Sequence, residues 1–364
     1  MLNLNQMTSK TRILNALTGK ETDRVPWSPF FAYYWDFLDE KTRGEGMVRY
    51  YQDMGADPLL RGTVSLQEVR WDHCEIREQR EGGLRRSSYE TPVGSLTEDY
   101  SYSSAANSWF LTKHPVQSSE DFKTLIYLYE HVQVTPSLKA FRQQYDSLGE
   151  AGLILPVIGV GSKTAFQSLV EHWCGTEHLA YALCDFPDLV EECLQLMWEK
   201  DEETIDIALC SPAEGFIFWE DSSTTNISPD FFRRYTLPQI NRWGERLHRE
   251  NRLLVHHACG HLRDFMPLMA ESAIDALESV SPPPTGNIEP WEIRRALPPR
   301  IALIGGIEPT FLLQSGTKEL LTQVELLLQR MKGSRYILAN SDSCPPGVEY
   351  EKFLAVSRLV AEGC

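Results

Sequence analysis

The sequence predicts a (β/α)8 barrel, read as a single domain over residues 1–364 with antiparallel hairpins inserted near the N-terminus at about 68–105. Three observations carry that expectation. From residue 150 onward, six short β-type runs alternate with helical patterns, the signature of a parallel sheet covered by helices. Two further runs upstream bring the total to eight. A chain of 364 residues, 42% of them hydrophobic, can bury a core of that size in one domain.

The elements follow in order. "RVPWSPFF" (24–31) and "GADPLLRG" (55–62) supply the first two strands, separated by a helical stretch around Gly46–Met54. Next, "EVRWDHCEIREQREGGLRRSSYETPVGSLTEDYSY" alternates polar and apolar residues about Gly-Gly and Pro-Val-Gly turns, which reads as the inserted hairpins. The remaining strands are "LILPVIGV" (153–160), "GFIFWE" (215–220), "LLVHH" (253–257), "AIDALESV" (273–280), "IALIGG" (301–306) and "YILAN" (336–340). Among the helices, "SPDFFRRYTLPQINRWGERLHRE" carries its own start signal, Ser228 as N-cap and Pro229 at the first helical position.

A formal charge of −16 argues against a nucleic-acid partner, whose phosphates require clustered Lys and Arg. The N-terminal stretch lacks a continuous apolar core and a small-residue cleavage site, and no segment approaches 18 uninterrupted apolar residues, so a soluble, cytoplasmic protein is expected. Eight irregularly spaced cysteines do not form a disulfide framework. In a reducing compartment they are free thiols or metal ligands.

In a barrel of this type the chemistry sits on loops after the strand C-termini, which directs attention to "VHHACGHLRDF" (255–265) and "LANSDSCPPGVEY" (338–350). The pattern His-x-Cys-Gly occurs twice. "HWCG" (172–175) ends a helical run, where residues two apart point in divergent directions, so His172 and Cys174 are read as a helix end with Gly175 as its stop. "HACG" (257–260) follows a strand, where residues two apart share a side, so His257 and Cys259 can reach one ion together. Cys344 leaves the eighth strand at the same end. One imidazole, two thiolates and one open position make a catalytic-type zinc site; the alternative is that Cys259 and Cys344 are small buried hydrophobes. His256 alternates to the other face as a structural residue, and His261 lies near the metal or at the surface of the next helix start.

Glu220 and Asp221 end the fourth strand beside the fifth. They are candidates for a general base, a resting-state zinc ligand or orienters of His257, against a plain helix-capping pair. "GGIEP" (305–309) permits close approach of a ligand or a tight turn. Tyr33, Tyr34 and Trp35 either wall an apolar pocket or pack against the hairpins, and "SPPPTG" (281–286) shapes a rim.

These motifs resemble the uroporphyrinogen decarboxylase superfamily and, within it, the zinc- and corrinoid-dependent methyltransferases related to methylcobalamin:coenzyme M methyltransferase. "WEDSSTTNISPDFFRRYTLPQINR" is similar to that superfamily's acidic strand end and Ser-Pro helix start, and "IALIGGIEPTFLLQSGTKEL" to its Gly-rich seventh strand. The resemblance implies zinc on His257, Cys259 and Cys344, with Glu220 the acidic position nearest the metal. It further implies methyl transfer between a small molecule and a corrinoid, methylcobalamin or a corrinoid protein that docks as a partner. One departure matters: "RVPWSPFFAYYWDFLDE" is aromatic where decarboxylases of the superfamily carry an Arg-rich stretch for substrate carboxylates. Decarboxylation is therefore the lesser enzymatic expectation, and a zinc-stabilised binding protein with a closed four-ligand site the non-enzymatic one.

Overall fold

The computed structural model describes residues 7–104 and 108–363. Along the chain, β1 (Leu59–Arg61) is followed by an antiparallel region of β2 (Gln67–Trp71), β3 (Glu75–Glu81), β4 (Leu84–Thr91), β5 (Gly94–Ser103), β6 (Ser108–Lys113) and β7 (Val132–Pro136). The later strands alternate with helices: β8 (Leu153–Leu155), β9 (Gly215–Glu220), β10 (Leu253–Ala258), β11 (Ala276–Val280), β12 (Ala302–Ile307) and β13 (Tyr336–Asn340). This is an α/β protein with parallel sheet at its centre. β9 to β13 form one five-stranded parallel sheet in sequence order, and β1 pairs in parallel with β8.

Backbone bonds join these pieces. Ile217 N donates to Pro156 O and Ile158 N to Ile217 O, linking the segment after β8 to β9. The segment around Trp27 bonds on both sides: Asp57 N donates to Trp27 O, Ser28 N to Leu338 O, and Leu338 N to Pro26 O. β8 is shorter than the apolar run 153–160 because Pro156 has no N–H for a ladder, and Val157 keeps only an isolated bridge to Ile217.

Alternation explains why the parallel strands read as continuous apolar runs: both of their faces are buried. Leu59, Leu153, Leu155, Ile217, Val255, Ala276, Ile304 and Ile337 meet on one side. Ile13, Ala16 and Leu17, from the helix Ser9–Thr18, join that cluster near the N-terminal ends of the strands. Their alternates Leu60, Ile154, Phe216, Phe218, Leu254, Leu277, Leu303 and Leu338 pack in the larger core that includes the helices.

β3 to β6 form a four-stranded antiparallel sheet from Glu75 to Lys113, while β2 pairs separately with β7. The β3–β4 turn uses Gly82 at φ +57, a conformation that a side chain disfavours. Ser228 caps its helix through a bond from Phe231 N, with Pro229 at the first position. Pro238 cannot donate to Arg234 four residues back, and the backbone widens into a π turn at Phe232–Thr236.

Candidate active site

The in-register neighbours of His257 define the site. β10 places it opposite Trp219 of β9 on one side and Glu278 of β11 on the other. Its Nδ1 makes a short contact with Glu278 Oε2, and Glu278 Oε1 lies 3.1 Å from Arg61 Nε at the end of β1. Arg61 and Glu278 are both fully buried. Their approach is an ion contact without hydrogen-bond alignment, leaving Arg61 Nε and Glu278 Oε1 without a hydrogen-bond partner. Arg61 is held further by the carbonyls of Ser28 (3.3 Å) and Leu59 (3.5 Å) and lies over the Phe30 ring. Burial alone would lower the basicity of His257; the adjacent Glu278 carboxylate overcomes it and holds the imidazole above its ordinary pKa.

A carboxylate on Nδ1 fixes the tautomer and ring orientation and leaves Nε2 for a ligand. His257 lines a cavity of about 510 Å³ together with Phe30, Tyr33, Trp219, Thr285, Glu308 and Asp342, contributed by strand ends and by segments that follow different strands. Trp219 packs edge-on to His257 at 4.7 Å and stacks on Phe30 at 5.6 Å. Among the described residues, two carboxylates and no Lys or Arg line this cavity.

Cys259 follows β10 and is mostly buried, its Sγ turned toward Glu220 O at 3.6 Å. Burial, then the nearby carboxylates of Asp342, Asp221 and Glu171, push its thiol pKa up. Cys344 is fully buried; its N–H donates to Phe30 O and its Sγ turns toward Pro345 O at 3.7 Å. Burial raises this thiol too. Asn340 sets the spacing by accepting from Phe30 N at 2.8 Å and donating to Phe30 O at 2.9 Å, which ties the end of β13 to the segment after Trp27. Among the described residues, no group of three or more His, Cys, Asp or Glu side chains is gathered around a common metal position. The donors nevertheless suit zinc in kind: one imidazole oriented by a carboxylate and two cysteines on strand-end loops. Binding would require both thiols to turn from their carbonyls and lose their protons.

Glu220 is buried away from the cavity. Its Oε1 accepts from Thr164 N (3.0 Å) and Thr164 Oγ1 (2.6 Å), and its Oε2 meets Ser222 Oγ and His256 Nε2, each at 3.2 Å. Burial opposes ionisation, but His256 and Thr164 outweigh it and hold the carboxyl below its usual pKa. Asp221 accepts from Asn226 Nδ2 at 2.6 Å through Oδ2, with burial raising its pKa. His256 stacks on Phe218 at 4.4 Å on the opposite face from His257.

The first His-x-Cys-Gly lies in a π turn, Leu169–Trp173, with Cys174 buried at its end and Gly175 at φ +74 opening the next helix, Gly175–Asp185. Tyr33 lines the cavity, whereas Tyr34 donates or accepts at Tyr50 Oη (2.9 Å) and Trp35 packs on Tyr50, so this trio divides between wall and core. The glycines of "GGIEP" serve packing: a Cβ on Gly305 would meet Val280 N at 2.8 Å, and one on Gly306 would meet Tyr336 Oη at 2.6 Å. From "SPPPTG", Thr285 reaches the cavity and donates to Glu308 at 2.6 Å. Arg61, Glu278, Trp219 and Asn340 do not stand out in the sequence as site residues. The available signal was a charge set in an apolar run, "DPLLRG" and "DALESV", where a buried ion needs a partner.

The chain and its fold have known relatives. Residues 110–363 match the family model described as uroporphyrinogen decarboxylase (URO-D), and the chain belongs to that family. Among solved structures, a methyltransferase from Methanosarcina mazei is 15% identical and superposes with a TM-score of 0.62, covering 98% of this chain and 99% of that one. A B12-independent methionine synthase from a Shewanella species, in complex with selenomethionine, is 12% identical with a TM-score of 0.47, covering 93% and 97%. At 15% identity the first likeness is one of fold. No curated protein matches the chain.

Proposed function

We propose that the chain closes as a (β/α)8 barrel and transfers a methyl group between a corrinoid, carried by methylcobalamin or a docked corrinoid protein, and a small molecule bound in the cavity at His257. The backbone bonds from Pro26 and Ser28 to Leu338 support closure, since they join the first parallel segment to the last. The observation that carries the function is His257 itself, gripped at Nδ1 by Glu278 and lining the cavity with Nε2 left for a ligand. Family membership supports the same region as the reactive end. A zinc ion held by His257, Cys259 and Cys344 would keep an acidic nucleophile such as a thiol as its reactive anion.

The chain's own residues supply the rest. Glu278 and Arg61 keep the imidazole oriented, while the carboxylates of Asp342 and Asp221 near Cys259 disfavour its thiolate, a charge that a bound cation would offset. Glu220 positions the Thr164 and Ser222 loops, while Trp219 and Phe30 exclude water beside His257. Among the described residues the cavity lining has two acids and no Lys or Arg to hold the several carboxylates of a porphyrinogen, which favours methyl transfer over decarboxylation.

The test supplies zinc-loaded protein with methylcobalamin and a panel of thiols, and with methylated aromatic or amine donors plus a reduced corrinoid protein for the reverse direction. Cobalt's visible spectrum reports loss or gain of methyl. Turnover is expected with at least one partner, abolished by chelator and reduced more than about 100-fold in His257→Ala, beyond the loss typical of an outer partner. Zinc-independent conversion of uroporphyrinogen, with no methyl transfer across the panel, overturns the reading.

A further inference from the structure

We propose a second ligand site, for a small organic di- or polyphosphate, near the N-terminal ends of the parallel strands. A cavity of about 800 Å³ opens there between the end of the helix Ser9–Thr18, the turn before β12 and the turn before β13. Six cations line it; Arg24 is paired with Asp57, and the other five are Lys20, Arg294, Arg300, Lys332 and Arg335. Among the described residues none of the five forms a salt bridge. The charges that do pair there are Asp23 with Arg12, and Arg24 with Asp57. Glu21 is the one lining acid outside those pairs.

The three arginines spend donors on backbone carbonyls. Arg294 reaches Leu297 O, Arg300 reaches Ile274 O at 2.8 Å, and Arg335 reaches Arg300 O at 2.8 Å. Those bonds fix the guanidinium positions without neutralising them. Arg335 crosses directly over Gly19, where a Cβ would meet its Nε at 2.3 Å, so the bare glycine gives the guanidinium its seat. Arg294 is half-buried, and its pKa is pushed down by burial and then by the like charge of Arg335.

In a chain of formal charge −16, such a local excess of positive charge is a feature to be accounted for. Five cations against one unpaired acid match a ligand bearing three or four negative charges, the range of a pyrophosphate group. Leu328, Met331 and Val25 add apolar wall for an organic moiety. The volume is within the range of small-molecule sites.

The experiment is calorimetric titration of the full chain with inorganic pyrophosphate, ATP and citrate, repeated on Lys20→Ala/Lys332→Ala. Both lysines are exposed and their side chains make no hydrogen bond among the described residues, so the fold is expected to hold, checked by an unchanged thermal melt. Expected results are saturable one-to-one binding, ATP tighter than pyrophosphate and citrate weakest, and about a tenfold loss in the double variant from two removed ion contacts. Binding should be unchanged in His257→Ala. No saturable binding at millimolar pyrophosphate in low salt, affinity unaltered in the double variant, or equal affinity for all three anions would each overturn the proposal.

Discussion

His172 and His257 each stand two residues before a cysteine and three before a glycine, in backbones of different kinds. In the π turn at 169–173, His172 packs against Trp173 with Glu98 3.6 Å away, and Cys174 is folded into the core. On β10, His257 is flanked in register by Trp219 and Glu278, and Cys259 follows at the strand end. Burial acts on both imidazoles and would disfavour the charged form of each. The Glu278 carboxylate holds the pKa of His257 up, whereas burial and then the charges of Lys163 and His114 bring that of His172 down to about 4. A four-residue pattern acquires chemistry from the register of its neighbours more than from its letters.

The sharpest way to break this comparison is elemental analysis. Purified chain should hold about one zinc, Cys344→Ser should lose most of it, and Cys174→Ser should retain it, because only the former removes a proposed ligand. Equal zinc in wild type and Cys344→Ser, with loss in Cys174→Ser, would reverse the assignment of the two motifs. A smaller effect is expected from Glu278→Gln, about 10–100-fold in metal affinity. That variant also strands the buried Arg61, costing about 3–5 kcal/mol of stability. Arg61→Met/Glu278→Gln should recover stability and leave affinity impaired, whereas recovery of both would make Glu278 a packing residue only.

The smallest effect concerns pH. His172, neutral in the fold and titrating near 6.5 when unfolded, contributes stability that is full above pH 6.5 and lost as the pH falls toward 4. Its imidazole resonance should titrate near 4, and His172→Gln should flatten the acid limb of stability over that window. A midpoint at 6.5 would mean the ring is solvated.

Much of this was legible in the sequence. The runs 215–220 and 336–340 became β9 and β13 with the same bounds, because each is a fully apolar stretch ended by a polar residue. The run 273–280 begins its strand at Ala276, and the Asp275 side chain before it accepts from Leu254 N and contacts His248. The Ser228 cap was visible because capping is local. What stayed hidden was nonlocal: that Glu278 faces His257 depends on strand register, and that Arg61 faces Glu278 depends on β1 lying near β11 across some 200 residues of chain. His257, Cys259 and Cys344 announced themselves by residue type; the turning of both thiols toward carbonyls is a rotamer choice that spacing does not encode.

Asn340 grips both backbone groups of Phe30, and Cys344 N–H bonds the same residue, so the pocket wall at Phe30 is joined to groups more than 300 positions later. During synthesis at a ribosome, His257 and its Glu278 partner would emerge well before the segment that completes their surroundings. A product cut short before residue 340 would carry the histidine, its carboxylate and the first cysteine, yet lack the contacts that seat Phe30. The wall at Phe30 therefore takes its seat only once residues 340–344 are present to bond it.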